Sequence, residues 1–307
     1  MQNIYEVAAA NRRKSILIMA LFVAFITIST YFLSTGLSVY WGYEAGGLGI
    51  VGIAFIISGI ISIGSYYFSD RIVLGISSAH PADRRRYFDF YTVSENLSLA
   101  AGIPMPKLYV IEDTAMNAFA TGRDPKHAVV VATTGLLSRL SRTEIEGVVA
   151  HELSHIKNYD TLLMSIVVIL IGTVAMLADV FLRASFWGGG SRERRSGAGF
   201  IILIGLVFAI LSPIIGQLIK LAISRRREYS ADAGAVAITR QPSGLISALG
   251  KIAVDHEPLE AANKATAHLY IENPFKDKIG DARNKFSEIF NTHPPVEKRI
   301  SLLKKMM

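Results

Sequence analysis

His151-Glu152-Leu153-Ser154-His155 sets two imidazoles four residues apart with a carboxylate between them. On a helix, positions four apart share a face, with β-carbons roughly 6 Å apart. Both rings can then offer a nitrogen to one zinc ion at about 2.0–2.1 Å. Glu152, one position from the first imidazole, can lean toward an open coordination position and take a proton from water there. The chemistry this spacing points to is metal-assisted hydrolysis. With 7 His and 14 Glu in 307 residues, a random chain would carry the pattern roughly 0.007 times.

Two histidines do not complete such a site, which usually has three protein ligands and an open position. The long motif HExxHxxGxxH would need Gly at 158 and His at 161. The chain has Asn158 and Thr161, so the third ligand must come from elsewhere. Glu228 is the best candidate. It follows a hydrophobic hairpin that the first motif precedes, and such a hairpin brings its two flanking helices side by side at one depth. Asp232, four residues on and on the same helix face, could accept from the outer nitrogen of a zinc-bound histidine. The competing account makes Glu228 and Asp232 partners for the neighbouring arginines.

The elements that must position these groups are legible in outline. Residues 143–158 read as a helix, opened by a capping box of Ser141 and Glu144 and carrying apolar residues at Ile145, Val148, Val149, Leu153 and Ile156. Upstream, residues 83–101 read as an amphipathic helix stopped by Gly102 and Pro104. Residues 107–111, 116–121 and 128–133 are strand candidates, with a turn at Gly122–Pro125. A short helix near residues 135–140 follows. Asn117, Ala118, Phe119 and Ala120 are expected at an exposed strand edge beside the metal, where an extended peptide could add a strand. The plainer alternative is a buried strand. Residues 243–305 look helical, with a less regular patch near 273–280.

Composition adds the setting. Hydrophobic residues make up 51% of the chain and its mean hydropathy is +0.37. The apolar residues fall into long blocks. Residues 15–33 and 47–68 carry no charge, and each is long enough to cross a hydrocarbon core of about 30 Å. Residues 162–182 and 199–222 form a second pair, with Pro213 as a kink. Basic residues at Arg12-Arg13-Lys14 and Arg84-Arg85-Arg86 place both ends of the first hairpin in the cytoplasm. His155 lies seven residues before Leu162, or about 10 Å along a helix, so the site should sit close to the membrane surface. The connector 183–198 carries Arg183, Arg192, Arg194 and Arg195, against the positive-inside bias. The second hairpin therefore either spans or enters without crossing. Asp179 reads as a side chain snorkelling to the interface. The net charge of +7 flanks the apolar blocks, where anionic headgroups attract it, and no nucleic-acid-binding motif appears. With no cysteine, disulfides, a thiol nucleophile and cysteine zinc sites are excluded.

The HExxH motif, the run Ser224-Arg225-Arg226-Arg227-Glu228-Tyr229-Ser230-Ala231-Asp232, the segment Asn117-Ala118-Phe119-Ala120-Thr121-Gly122, and Thr292-His293-Pro294-Pro295 with Arg299 together resemble the HtpX family of membrane metallopeptidases, related to the CAAX prenyl protease. The resemblance covers most of the chain. It implies one Zn2+ per chain at His151, His155 and Glu228, with Glu152 as general base, and a role in quality control of membrane proteins under stress. His293 is a candidate donor to the oxygen that gains charge when water attacks a peptide carbonyl. The alternative is that it caps the last helix.

The expected fold is a mainly α membrane protein, with four hydrophobic helices and an α+β zincin-like catalytic domain built of a small sheet and the HExxH helix. Its parts run in order: a cytoplasmic tail at 1–14, a transmembrane hairpin at 15–67, a first catalytic part at 68–161, a second hairpin at 162–222, and a second catalytic part at 223–307. The expected partners are protein or peptide substrates and the lipid bilayer, and no nucleic acid. The expected location is the inner or plasma membrane, with the site on the cytoplasmic side. Two other readings compete: a membrane scaffold or transporter with an incidental HExxH, and a prenyl-protein-processing protease.

Overall fold

The computed structural model describes residues 4–41, 47–170, 172, 225–255, 257–260, 269–271 and 294–307. Most of the second hairpin lies outside these residues, as do its connector, Asp179 and His293. Among the described residues, no helix is long and apolar enough to cross a membrane.

The chain is mostly helical, with one small mixed sheet. Helix α1 (Ile4–Trp41) is followed by α2 (Gly47–Tyr67) and α3 (Ser69–Ile76). The segment expected as a tail is therefore helical from Ile4 and runs unbroken into the first apolar block. Residues 4–14 contain no Gly or Pro, so nothing in them stops a helix. Residues 11, 15, 18 and 22 share one face of α1, and Asn11, Ser15, Ile18 and Phe22 are all buried. Ile18 and Phe22 pack on Leu162, Leu163, Ile166, Val167 and Leu170, which lie on the helix α7 spanning residues 160–170.

Strand β1 (His80–Pro81) precedes α4 (Phe88–Ala101), β2 (Lys107–Ile111), β3 (Ala118–Thr121) and β4 (Val129–Thr133). The amphipathic helix begins at Phe88, later than expected, because residues 84–87 form a turn. The strand order is β1-β2-β4-β3. β4 runs parallel to β2 and antiparallel to β3. Every residue of β4 is buried, as expected for a central strand covered on both faces. Val130 and Ala132 pack toward α4 and the HExxH helix, while Val129 and Val131 face Val73, Met164 and Tyr270.

After the short helix α5 (Thr134–Arg139) comes α6 (Arg142–Lys157), which carries the HExxH motif. Its C-terminal cap is Asn158. Beyond α7 follow α8 (Arg225–Thr239), α9 (Pro242–Val254) and α10 (Val296–Lys304). α6 is the hub, packed against α4, α8, α9 and β3. It touches α9 backbone to backbone: a Cβ on Gly147 would strike Leu245 and Gly244.

Glu144 fixes the start of this hub. It accepts the Ser141 N–H at 2.7 Å, closing the capping box. It also accepts from Ser247 at 2.6 Å and from Lys251 at 2.8 Å, both on α9. Burial alone would push its pKa up, but these donors outweigh it and hold the carboxyl at about 2, against the usual 4.5. A depressed folded-state pKa stabilises above the unfolded value, and that stabilisation is lost as pH falls through the folded one. The contribution is therefore present above about pH 4.5 and fades toward pH 2, with a ceiling of about 3 kcal/mol. Glu144→Gln should lower the thermal midpoint at pH 7 and flatten its fall between pH 5 and 3. A variant with the wild-type acid profile would show that the carboxylate is not what anchors α6.

Candidate active site

Helical spacing alone puts the His151 and His155 rings on one face of α6. What brings a third group to them is the contact of α6 with α8. The two helices approach closely enough that a Cβ on Gly234 would strike the Ser154 side chain. Glu228, in the first turn of α8, then reaches the histidine pair. His151, His155 and Glu228 are all buried, and their candidate ligand atoms lie within 4.8 Å of one another.

The fit to zinc can be tested on the distances. Two ligand atoms about 2.0–2.1 Å from a shared tetrahedral centre lie about 3.3 Å apart. The His151 and His155 Nε2 atoms are 3.2 Å apart. Glu228 Oε1 lies 3.5 Å from His155 Nε2, and Oε2 lies 3.7 Å from His151 Nε2. Two imidazoles and one carboxylate form a donor set that suits catalytic zinc, with a fourth position left for water or substrate. The residues fit the ion.

Each imidazole is oriented from behind. His151 Nδ1–H donates to Asp232 Oδ1 at 3.0 Å. His155 Nδ1–H donates to Asp160 Oδ2 at 3.0 Å. Both bonds select the tautomer whose Nε2 lone pair is available to metal. Arg299 grips Asp232 with two nitrogens, Nη2 at 2.7 Å and Nε at 3.0 Å. It also donates to the Ile271 carbonyl at 3.2 Å and lies 3.7 Å from Glu228. Arg299 is 0% exposed.

The electrostatics follow from burial and these partners. Burial pushes the His151 imidazole down, and Arg299 and His155 add to the effect against Asp232. His151 therefore stays neutral, as a ligand must. Burial also disfavours charge on His155, but the Asp160 hydrogen bond and the nearby Glu228 carboxylate win and raise it to about 9 in the metal-free site, so metal binding at Nε2 would release a proton there. Burial pushes the Asp232 carboxyl up, and His151 and Arg299 more than offset this, leaving it below the usual carboxylate range.

Glu152, on α6 beside His151, is 3% exposed. Asn117, Ala118, Phe119 and Ala120 are buried as well, which corrects the expected exposed edge. Thr133 N–H donates to Asn117 O. By antiparallel alternation Asn117, Phe119 and Thr121 bond β4, while Ala118 and Ala120 turn their backbone groups to the outer edge. There the Ile271 N–H donates to Ala118 O at 2.9 Å, and Tyr270 stacks edge-on against Phe119. His293 lies outside the described residues.

Sequence reasoning did not assign Asp160 or the work of Arg299. Each had a signal. Asp160 is an acid between the HExxH helix and an apolar block. Arg299 interrupts the buried stripe of Val296 and Leu303 on α10.

Glu228→Ala should take the zinc content from one per chain to near zero. Asp232→Asn should bind zinc about 10–100-fold more weakly. Asp232→Ala should in addition cost about 3–5 kcal/mol of stability, because it leaves the buried Arg299 guanidinium without its main counter-charge. Metal analysis and thermal unfolding of the purified variants check these outcomes. Undiminished zinc in the Glu228 variant would remove that residue from the ligand set.

The sequence profile of Peptidase family M48 matches residues 89–307. The protease HtpX homolog of Thermoanaerobacter pseudethanolicus is 42% identical over 309 residues, covering 99% of this chain and 98% of that protein. The HtpX homolog of Pyrococcus furiosus is 46% identical over 274 residues, covering 89% and 92%. A crystal structure of S. mikatae Ste24p aligns with a TM-score of 0.45 at 19% identity, covering 94% of this chain and 64% of that one. By its profile match and its full-length relatives, the chain belongs to peptidase family M48 and is a zinc-dependent metalloprotease.

Proposed function

We propose that this metalloprotease is a membrane-embedded endopeptidase that cleaves misfolded or damaged membrane proteins at a site on the cytoplasmic face. The observation that carries the catalytic part is the convergence of His151, His155 and Glu228 beside the buried Glu152. The first three residues hold zinc, and Asp232 orients His151. When bound, zinc supplies Lewis acidity, lowering the pKa of water to about 7 and polarising a carbonyl. Glu152 takes the proton of the attacking water and passes it to the leaving amine. His293, set just before Pro294-Pro295, donates to the oxygen that gains charge.

The membrane part is supported by the surface of α1 and α2. Ile16, Leu17, Leu21 and Ile28 on α1 are each more than half exposed, as are Ile53, Phe55, Ile56, Ile60 and Ile63 on α2. An apolar surface of this extent is costly in water and favourable in lipid. It lies within the uncharged blocks 15–33 and 47–68, which the reading takes as a spanning hairpin at 15–67. The second hairpin assigned to 162–222 lies mostly outside the described residues, and the catalytic domain is assigned to segments 68–161 and 223–307.

Glu152→Ala should retain zinc and fold while abolishing cleavage of a denatured membrane protein in detergent. It should also be recovered more intact than wild type if the enzyme cuts itself. Cleavage above that of the metal-stripped enzyme would refute Glu152 as the base.

For the substrate to pair with β3 beyond Ala118, where Ala120 turns its backbone outward, the residues that bury this edge must move aside. Ala120→Pro deletes one backbone donor. It should raise KM with zinc content and thermal midpoint near wild type. Unchanged kinetics would sink the strand-pairing role of residues 117–120.

A further inference from the structure

We propose that Asn11, on the first helix, is a positioning residue of the zinc site and acts through Asp160 on His155. Asn11 is 3% exposed. Its side-chain amide is used twice. One Nδ2 hydrogen goes to Asp160 Oδ1 at 2.8 Å and the other to the Asn158 carbonyl at 2.9 Å. The other oxygen of the same Asp160 carboxylate holds His155 Nδ1–H at 3.0 Å. A continuous chain of hydrogen bonds thus runs from α1 to a metal ligand, across 144 residues of sequence.

The arrangement asks for asparagine. The bridge must donate to a carboxylate and to a carbonyl at once, and a primary amide has two N–H groups in one plane. Aspartate would set a second carboxylate against Asp160. The carbonyl it meets belongs to Asn158, the C-terminal cap of α6, where helices leave acceptors unsatisfied. Between the two contacts the chain turns through Tyr159, a non-glycine residue at φ 58°. The Arg12 guanidinium lies 5.7 Å from the centre of the Tyr159 ring. The tight turn from α6 into α7 is therefore held from outside by α1, at the point where Asp160 must be aimed.

Asp160 is 1% exposed, and Arg227 Nε stands 3.9 Å from Oδ1. That is too long for a direct hydrogen bond. Without the Asn11 amide, the carboxylate would lose its short Oδ1 donor and could swing toward Arg227. His155 would then lose the partner that selects its tautomer and sets the direction of its ring.

The proposal rests on His155 as a zinc ligand. Its test uses the full-length protein in the Glu152→Ala background, so that self-cleavage does not intrude. Zinc affinity is measured by competition with a chelator, and site geometry by the visible spectrum of the cobalt-substituted protein. Asn11→Leu keeps the buried volume and removes both donors, and Asn11→Ala removes both. Each should weaken zinc on the order of 3–10-fold and shift the cobalt bands. The effect should be smaller than the ~10–100-fold loss expected for Asp160→Ala, whose side chain touches the ligand itself. In the Asp160→Ala background, either Asn11 substitution should add nothing further, because the two act in series. Unchanged zinc affinity and spectrum in folded Asn11 variants would overturn the proposal. So would an equal loss with and without Asp160, which would mark a general tether. If neither variant yields folded protein, the residue serves the fold and the proposal likewise falls. Wild-type protein that held no zinc would instead refute the ligand assignment itself.

Discussion

Burying charge is the constraint on which the rest of this structure depends. Glu152, Asp160, Glu228 and Asp232 are each at most 5% exposed and sit around one point. Removing even one carboxylate from water costs several kcal/mol unless it is paired. Four carboxylates are set against Arg299, Arg227 and the divalent ion that the donor set suits. The pairing is specific in geometry. Arg299 forks onto Asp232, Asp232 holds His151, and Asp160 holds His155. Each of these groups would be a liability alone. Together they hold two imidazoles with Nε2 turned inward.

Such a cluster needs rigid neighbours, and the helices supply them. α6 is clamped along one face by close contacts that a side chain in place of either glycine would prevent, Gly147 against α9 and Ser154 against Gly234 of α8. At its N-terminus the Glu144 network ties it to α9. At its C-terminus the cap residue and the following aspartate are tied to α1. The central strand β4, buried over all its length, backs the whole assembly. Local unfolding of α6 would thus have to break contacts with four elements at once.

The outer edge of β3 shows the same economy. The Ile271 N–H occupies the Ala118 carbonyl, and the Ile271 carbonyl accepts from Arg299. The residue that neutralises the zinc site thereby also fixes a segment lying along the strand edge. Site electrostatics and the shape of the neighbouring surface are linked through one guanidinium.

The amino-acid sequence by itself determined whatever depends on covalent spacing along one helix. The i, i+4 pairing of His151 with His155, and of Glu228 with Asp232, follows from helical pitch. So does the capping box at Ser141 and Glu144, and the strand pattern of residues 107–111 and 128–133 marked β2 and β4. Glu228 lies beside the two histidines, although the hairpin that suggested it falls mostly outside the described residues. Only tertiary structure decided the contacts between distant segments. Asp160 could have faced solvent, and Arg299 could have been an ordinary surface charge. Asn11 stood in what reads as a tail, and the edge of β3 could have been open. Local periodicity says which face a residue occupies but not what covers that face. The partner is chosen by how whole helices pack, and here that choice turned three dispersed polar residues into supports for one metal site.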